Sequence, residues 1–300
     1  MKRRSWLEFG IVLVFAVGAF SRAESTGAAI PPSEYLVKKM VSRRGGVKFL
    51  KLQSTIQIAI NPEGEKAENS TGFLKLKNLT AVDLEKRFIQ IRLTNESGVV
   101  LIEGQKLLSG GTGPTGEPRL GALLLDPQST AVMAQIQALA IPVIPERKLI
   151  EDWKTEAERQ AAEKTRMARI DGQASWVVGR ESGEGSFWFE KDTFAPQRIE
   201  TFRADKRLIL QLKWPKLVAD FPFPRQWILE STPKAAGLLG GAAVSLQLMA
   251  REDFHEVSQI TETGFQTLFK SDSRIAYTEA GEELSSGQRA AIDRYIDCLR

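Results

Sequence analysis

Between Leu52 and Ile60 the chain alternates. Leu52, Ser54, Ile56, Ile58 and Ile60 share one parity, and Gln53, Thr55, Gln57 and Ala59 the other. Successive strand side chains point to opposite faces, so such a stretch buries one face and wets the other. The period returns in Phe88 to Leu93, with Ile89, Ile91 and Leu93 in phase, and in Leu208 to Trp214, where Leu208, Leu210, Leu212 and Trp214 oppose Ile209, Gln211 and Lys213. Val244 to Met249 repeats it again. One dry and one wet face is the mark of an antiparallel sheet, not of a parallel sheet buried on both sides. Turn-forming runs such as Asn61-Pro62-Glu63-Gly64 and Asn95-Glu96-Ser97-Gly98 separate the strands. Roughly eight to eleven strands are expected, too many to lie flat, so the sheet must curve.

Helical spacing interrupts this pattern in a few places. Ser33 reads as the N-cap of a short helix with Leu36, Val37, Met40 and Val41 on one face. Asp126-Pro127 reads as N-cap and first helical position of a second helix, with Val132 and Ile136 in its stripe. Glu146 to Met167 is charged, with Ile150, Trp153 and Ala157 forming a narrow apolar seam. Ser285 opens a last helix, where Ala291, Tyr295 and Leu299 share a face. Strands with segregated helices give the class α+β. The expected layout is a sheet domain over 33–284, with a helical insertion near 126–168, followed by a C-terminal helix over 285–300.

The first segment reads as an address. Lys2-Arg3-Arg4 precedes the apolar run Phe9 to Phe20, and Ser21-Arg22-Ala23 follows. This is the layout of a secretory signal peptide over residues 1–23, cleaved after about Ala23, with 24–32 as a lead-in linker. An apolar run of that length falls short of the roughly 20 residues needed to cross a bilayer. The mature chain is therefore expected to be soluble and exported.

Charge and composition exclude several functions. Of the formal net charge of +4, three units lie in residues 1–23 (Lys2, Arg3, Arg4 and Arg22 against Glu8). A nearly neutral remainder has no field to hold a phosphate backbone, so no nucleic acid partner is expected. One cysteine, Cys298, allows no internal disulfide or paired-cysteine metal site, and it is far from where lipidation after a leader would need it. One histidine, His255, allows no histidine cluster, and no metal or cofactor is expected. Gly110 to Gly116 is a loop without the Gly-Lys-Ser/Thr that closes a phosphate loop. There is no Gly-x-Ser-x-Gly elbow, and Glu151-Asp152 and Glu282-Glu283 read as solvated faces. No catalytic residue is expected. Five tryptophans follow the leader, and four of them, Trp176, Trp188, Trp214 and Trp227, fall on expected strands. They serve as core or as the wall of an apolar cavity.

Phe187-Trp188-Phe189-Glu190-Lys191-Asp192-Thr193-Phe194-Ala195-Pro196-Gln197-Arg198 resembles a hairpin of the bacterial periplasmic lipoprotein carriers of the LolA/LolB type and their outer-membrane lipoprotein-sorting relatives. Phe223-Pro224-Arg225-Gln226-Trp227-Ile228 is similar to the continuation of that hairpin, and the order of elements over about 33–250 follows the same plan. The resemblance implies a curved antiparallel sheet forming an incomplete β-barrel with a helical lid, whose interior holds lipid or lipoprotein acyl chains. It implies a non-enzymatic, monomeric carrier without cofactor. Candidate lining residues are Ile56, Ile58, Leu74, Ile91, Trp176, Trp188, Leu210 and Trp214, and Arg92 is the candidate that holds the lid. On this reading Leu210→Glu lowers cargo binding without unfolding the chain. The residues 251–300 have no counterpart in the family pattern. A second reading is a sensor or scaffold of the same fold that binds an envelope membrane protein. A third, an exported hydrolase, would depend on His255.

Overall fold

The computed structural model describes residues 30–60, 72–108, 119–143, 165–179, 185–203, 206–213, 216–218, 221–233, 247–269 and 273–299. The expected signal peptide, the loop at Gly110 to Gly116, Trp153 and Trp214 lie outside them. From Pro32 onward the chain forms one compact unit.

The alternating stretches become long strands: β1 (Phe49–Ile60), β2 (Gly72–Asp83), β3 (Phe88–Thr94) and β4 (Val100–Leu107). They pair in sequence as antiparallel neighbours. A second meander follows: β5 (Thr165–Ile170), β6 (Gln173–Gly179), β7 (Ser186–Glu190), β8 (Pro196–Arg203), β9 (Lys206–Lys213) and β12 (Gln226–Pro233). β13 (Gln247–Gln259) joins the halves, pairing with β12 on one side and β1 on the other. With β14 (Ala276–Tyr277) beyond β4, twelve described strands make one open antiparallel sheet, edged by β14 and β5. β10 (Lys216–Val218) and β11 (Phe221–Phe223) form a separate ribbon.

This is more strand than the alternation indicates. β13 begins at Gln247 and runs through the charged stretch Arg251 to Glu256. Glu252 and Phe254 turn to the buried face while Arg251 and His255 stay exposed, so the charges obscure a strand that alternates from Ala250 to Phe254 before its register shifts at His255. Met167, expected in a helix, belongs to β5; residues 144–164 lie outside the described set.

Register assigns the inner face. Ser54 faces Asn78, Leu52 faces Thr80, Ile56 faces Leu76, and Asn78 and Thr80 face Leu93 and Ile91 on β3. Helices α1 (Ser33–Ser42), α2 (Leu120–Leu125) and α3 (Ser129–Ala138) share one apolar core with that face. So does α6 (Ser286–Leu299), which follows α5 (Glu279–Glu282). α4 (Glu262–Leu268) covers the other side, where Phe265 packs on Phe49 with ring centroids 5.5 Å apart.

Helix ends depart from the sequence expectation in two places. Pro32, not Ser33, is the N-cap of α1, and Ser33 is buried inside the first turn. α3 starts at Ser129, because the Asp126 carboxylate accepts from the Gln128 N–H at 2.8 Å and pairs with Arg87 instead of capping a helix at Pro127. Ser285 and Gln288 form a reciprocal capping box at the start of α6, each side chain accepting the other's backbone N–H.

The turn between β7 and β8 is held locally. Glu190 Oε2 accepts from the Thr193 N–H at 2.6 Å, and Phe194 takes a left-handed φ of 56°. This aims the Phe194 ring edge-on at Tyr35 of α1, 6.2 Å away.

Candidate functional site

Among the polar residues that fall in the apolar phase of the inner face are Ser54 on β1, Asn78 on β2 and Glu252 on β13. Adjacent strands bring them together. Ser54 Oγ donates to Glu252 Oε1 in a short hydrogen bond, and Asn78 Nδ2 donates to the same oxygen at 3.0 Å. Trp227 Nε1 on β12 donates to Oε2 at 2.5 Å. Tyr295 of α6 adds a fourth hydrogen bond to the carboxyl. Asn78 is steadied in turn by Thr80, whose hydroxyl donates to Asn78 Oδ1 at 2.9 Å.

Glu252 is fully buried. Burial pushes its pKa up, against the pull of the four hydrogen bonds. None of its four partners carries a charge, which separates this carboxyl from an ordinary buried ion pair.

Above the cluster lies α2. Its sequence Leu-Gly-Ala-Leu-Leu-Leu is buried at every position. It roofs a void of about 20 Å³ whose floor includes Glu252, Asn78, Thr80 and Trp227. That volume holds about one water molecule. None of the seven lining candidates among the described residues borders it.

Arginines hold the end of α2. Arg44, just after α1 and 2% exposed, donates from Nη1 to the Asp126 carbonyl at 2.7 Å and from Nη2 to the Leu123 carbonyl at 2.5 Å. Helix ends leave their last carbonyls unpaired, and a guanidinium fork supplies donors for two of them. Burial lowers the Arg44 pKa to about 9, and the nearby Asp126 charge opposes that fall. Arg87 Nη2 meets Asp126 Oδ2 at 2.6 Å. At the other end, the Gln135 side chain of α3 donates to the Arg119 carbonyl.

The sequence-derived candidates fall in several places. Ile56, Ile58, Ile91 and Leu210 are fully buried on the inner face, and Leu74 is partly buried against the same core. Trp176 is buried in that core. Trp188 points to the opposite side from Phe187 and Phe189, between the guanidinium groups of Arg166 and Arg198, 5.7 and 6.0 Å from its ring. Arg92 also has outer parity: it pairs with Glu103 at 2.7 Å and lies 5.1 Å over the Phe269 ring. His255 is exposed, with Nε2 2.6 Å from Thr55 Oγ1. Among the described residues no cluster of three or more histidine, cysteine, aspartate or glutamate side chains could hold a metal.

Sequence reasoning missed Glu252, Ser54, Asn78, Tyr295 and Arg44 as site residues. The signal for the first three was a polar residue in apolar phase: Ser54 between Leu52 and Ile56, Asn78 after Leu76, Glu252 between Ala250 and Phe254. Polar groups in such positions need partners, and here they partner one another.

No family model matches the chain, and no curated protein matches it. Among solved structures it is similar to a LolA superfamily protein from Nitrosomonas europaea, with a TM-score of 0.35, 11% identity, and 78% of this chain and 97% of that one covered. It is also similar to a DUF1329 family protein from Desulfovibrio piger, with a TM-score of 0.34, 10% identity, and 78% and 95% covered. Likeness at this level carries no functional conclusion; that has to rest on the geometry of the site itself.

Proposed function

We propose that the chain is an exported, non-enzymatic binding protein of the periplasm, whose inner sheet face receives lipid or lipoprotein acyl chains when α2 and α3 lift away. In this reading the sheet is an incomplete barrel and the two helices are its lid. The observation that carries it is α2: an entirely apolar, entirely buried helix, lying over the inner sheet face, with side-chain hydrogen bonds to carbonyls at its two ends. An acyl chain is a chemical substitute for those leucines. It would lie along Ile56, Ile58, Ile91 and Leu210, with Leu74 at one end. Each buried methylene contributes about 0.8 kcal/mol, offsetting the loss of lid packing. Arg44 takes the latch role first expected of Arg92, since its donors reach α2 carbonyls. Export rests on the leader pattern of residues 1–23, and the periplasm on the resemblance of the hairpin over residues 187–198 to the periplasmic carriers.

A second reading, a scaffold that binds an envelope protein and carries no cargo, is favoured by the smallness of the void. Native mass spectrometry of residues 24–300, expressed in a periplasm and purified without detergent, separates the two. Extra mass in lipid-sized steps, removed by organic extraction, supports the carrier. A single apo mass that refuses added lipid and fatty acid, together with a captured envelope protein, supports the scaffold.

A further inference from the structure

The inner face is polar where Glu252, Asn78, Ser54 and Thr80 meet, and it is there that the small void opens beneath α2. A bare acyl chain has no use for a buried carboxyl and amide. Leaving their hydrogen-bonding capacity unmet in a dry cavity opposes binding.

A carboxyl has about four acceptor positions. Three of its donors, Ser54, Asn78 and Trp227, belong to the sheet and stay when the helices move. The fourth, the Tyr295 hydroxyl, belongs to α6, outside the α2–α3 lid, so the position it fills opens only when α6 also yields. The Tyr295 ring lies parallel to the Trp227 indole, with centroids 6.0 Å and planes 3° apart, and its hydroxyl is 3.4 Å from Asn78 Nδ2. The chain thus places on this cluster a flat apolar group ending in a hydroxyl. A ligand with that chemistry could replace it point for point.

We infer that Glu252, Asn78 and Trp227 form a head-group subsite within the proposed cavity, selecting amphiphiles whose buried end is a flat apolar group bearing a hydrogen-bond donor. This rests on the proposed carrier reading and names its ligand class. Trp227 is the platform for the flat group, and Glu252 accepts the donor. An anionic head is disfavoured, since the four described hydrogen-bond partners of Glu252 are all uncharged. A head without a donor leaves the fourth acceptor position empty once Tyr295 has moved.

The test is calorimetric titration of the purified full chain with three probes that share one tail: 4-octylphenol, 4-octylanisole and 4-octylbenzoate, with palmitate as a plain acyl control. The phenol is expected to bind at least about tenfold more tightly than the anisole and the benzoate. Glu252→Gln is expected to remove most of that preference. If Glu252→Gln does not fold, Tyr295→Phe keeps the ring and frees the acceptor position, and should strengthen phenol binding more than anisole binding. Equal affinity for the three heads, or a preference that survives Glu252→Gln, overturns the subsite while palmitate binding leaves the carrier intact. Failure of all four probes to bind overturns both.

Discussion

The Tyr295 ring of the last helix lies flat on the Trp227 indole of β12, and both residues hydrogen-bond Glu252. Two side chains 68 positions apart in the chain therefore share one carboxyl. Through it the C-terminal helix is fixed to the middle of the sheet. Tyr295→Ala removes the stack and a buried hydrogen bond together, and should cost about 3–5 kcal/mol, read from urea unfolding. Tyr295→Phe keeps the stack and should cost about 1 kcal/mol. A near-neutral Tyr295→Ala would mean that α6 is not integral to the core.

Glu252 makes stability depend on pH in an unusual direction. Its folded-state pKa is raised above its ordinary 4.5, so the folded chain binds more protons than the unfolded one above that value. Its contribution is present in acid and is lost as pH rises through the folded pKa. Other carboxylates, such as Asp253 and Glu256, have lowered pKa values and contribute the opposite slope. The readout is therefore the difference between the parent and Glu252→Gln: the parent should lose stability relative to the variant as pH is raised from about 4.5. A constant difference across pH would remove Glu252 as a titrating group.

Arg44 ties α1 to the end of α2 through two carbonyls. Arg44→Leu removes both hydrogen bonds and leaves Asp126 with Arg87. The expected loss is about 2–4 kcal/mol. If α2 is the lid, uptake of an apolar fluorescent probe should also become several-fold faster. Destabilisation with unchanged uptake would make Arg44 a core anchor only.

Leu210→Glu, which on the sequence reading spares the fold, should not spare it. Leu210 is 1% exposed and paired between Leu229 and Ile199 on the inner face. A carboxylate there has no partner and displaces packed leucine, so circular dichroism should show an unfolded or strongly destabilised chain. Leu210→Met, which nearly conserves volume, should fold within about 1.5 kcal/mol of the parent.

The alternation at Leu52 to Ile60 and Leu208 to Leu212 determined by itself that the chain builds antiparallel strands with one buried face, because side-chain period is a local property of the backbone. The capping pair Ser285 and Gln288 likewise placed the start of α6 through contacts only three residues apart. Tertiary structure decided which face each aromatic serves: Trp188 and Trp227 both lie on strands, yet one sits between two arginines on the outer side and the other stacks on Tyr295 inside. It also decided that Glu252 is no surface charge. In the sequence it lies in a charged run, between Arg251 and Asp253. Strand phase turns it inward, and only there do Ser54, Asn78, Trp227 and Tyr295 converge to supply the donors that let a carboxyl be buried. That convergence depends on register between strands far apart in sequence, which no local pattern carries.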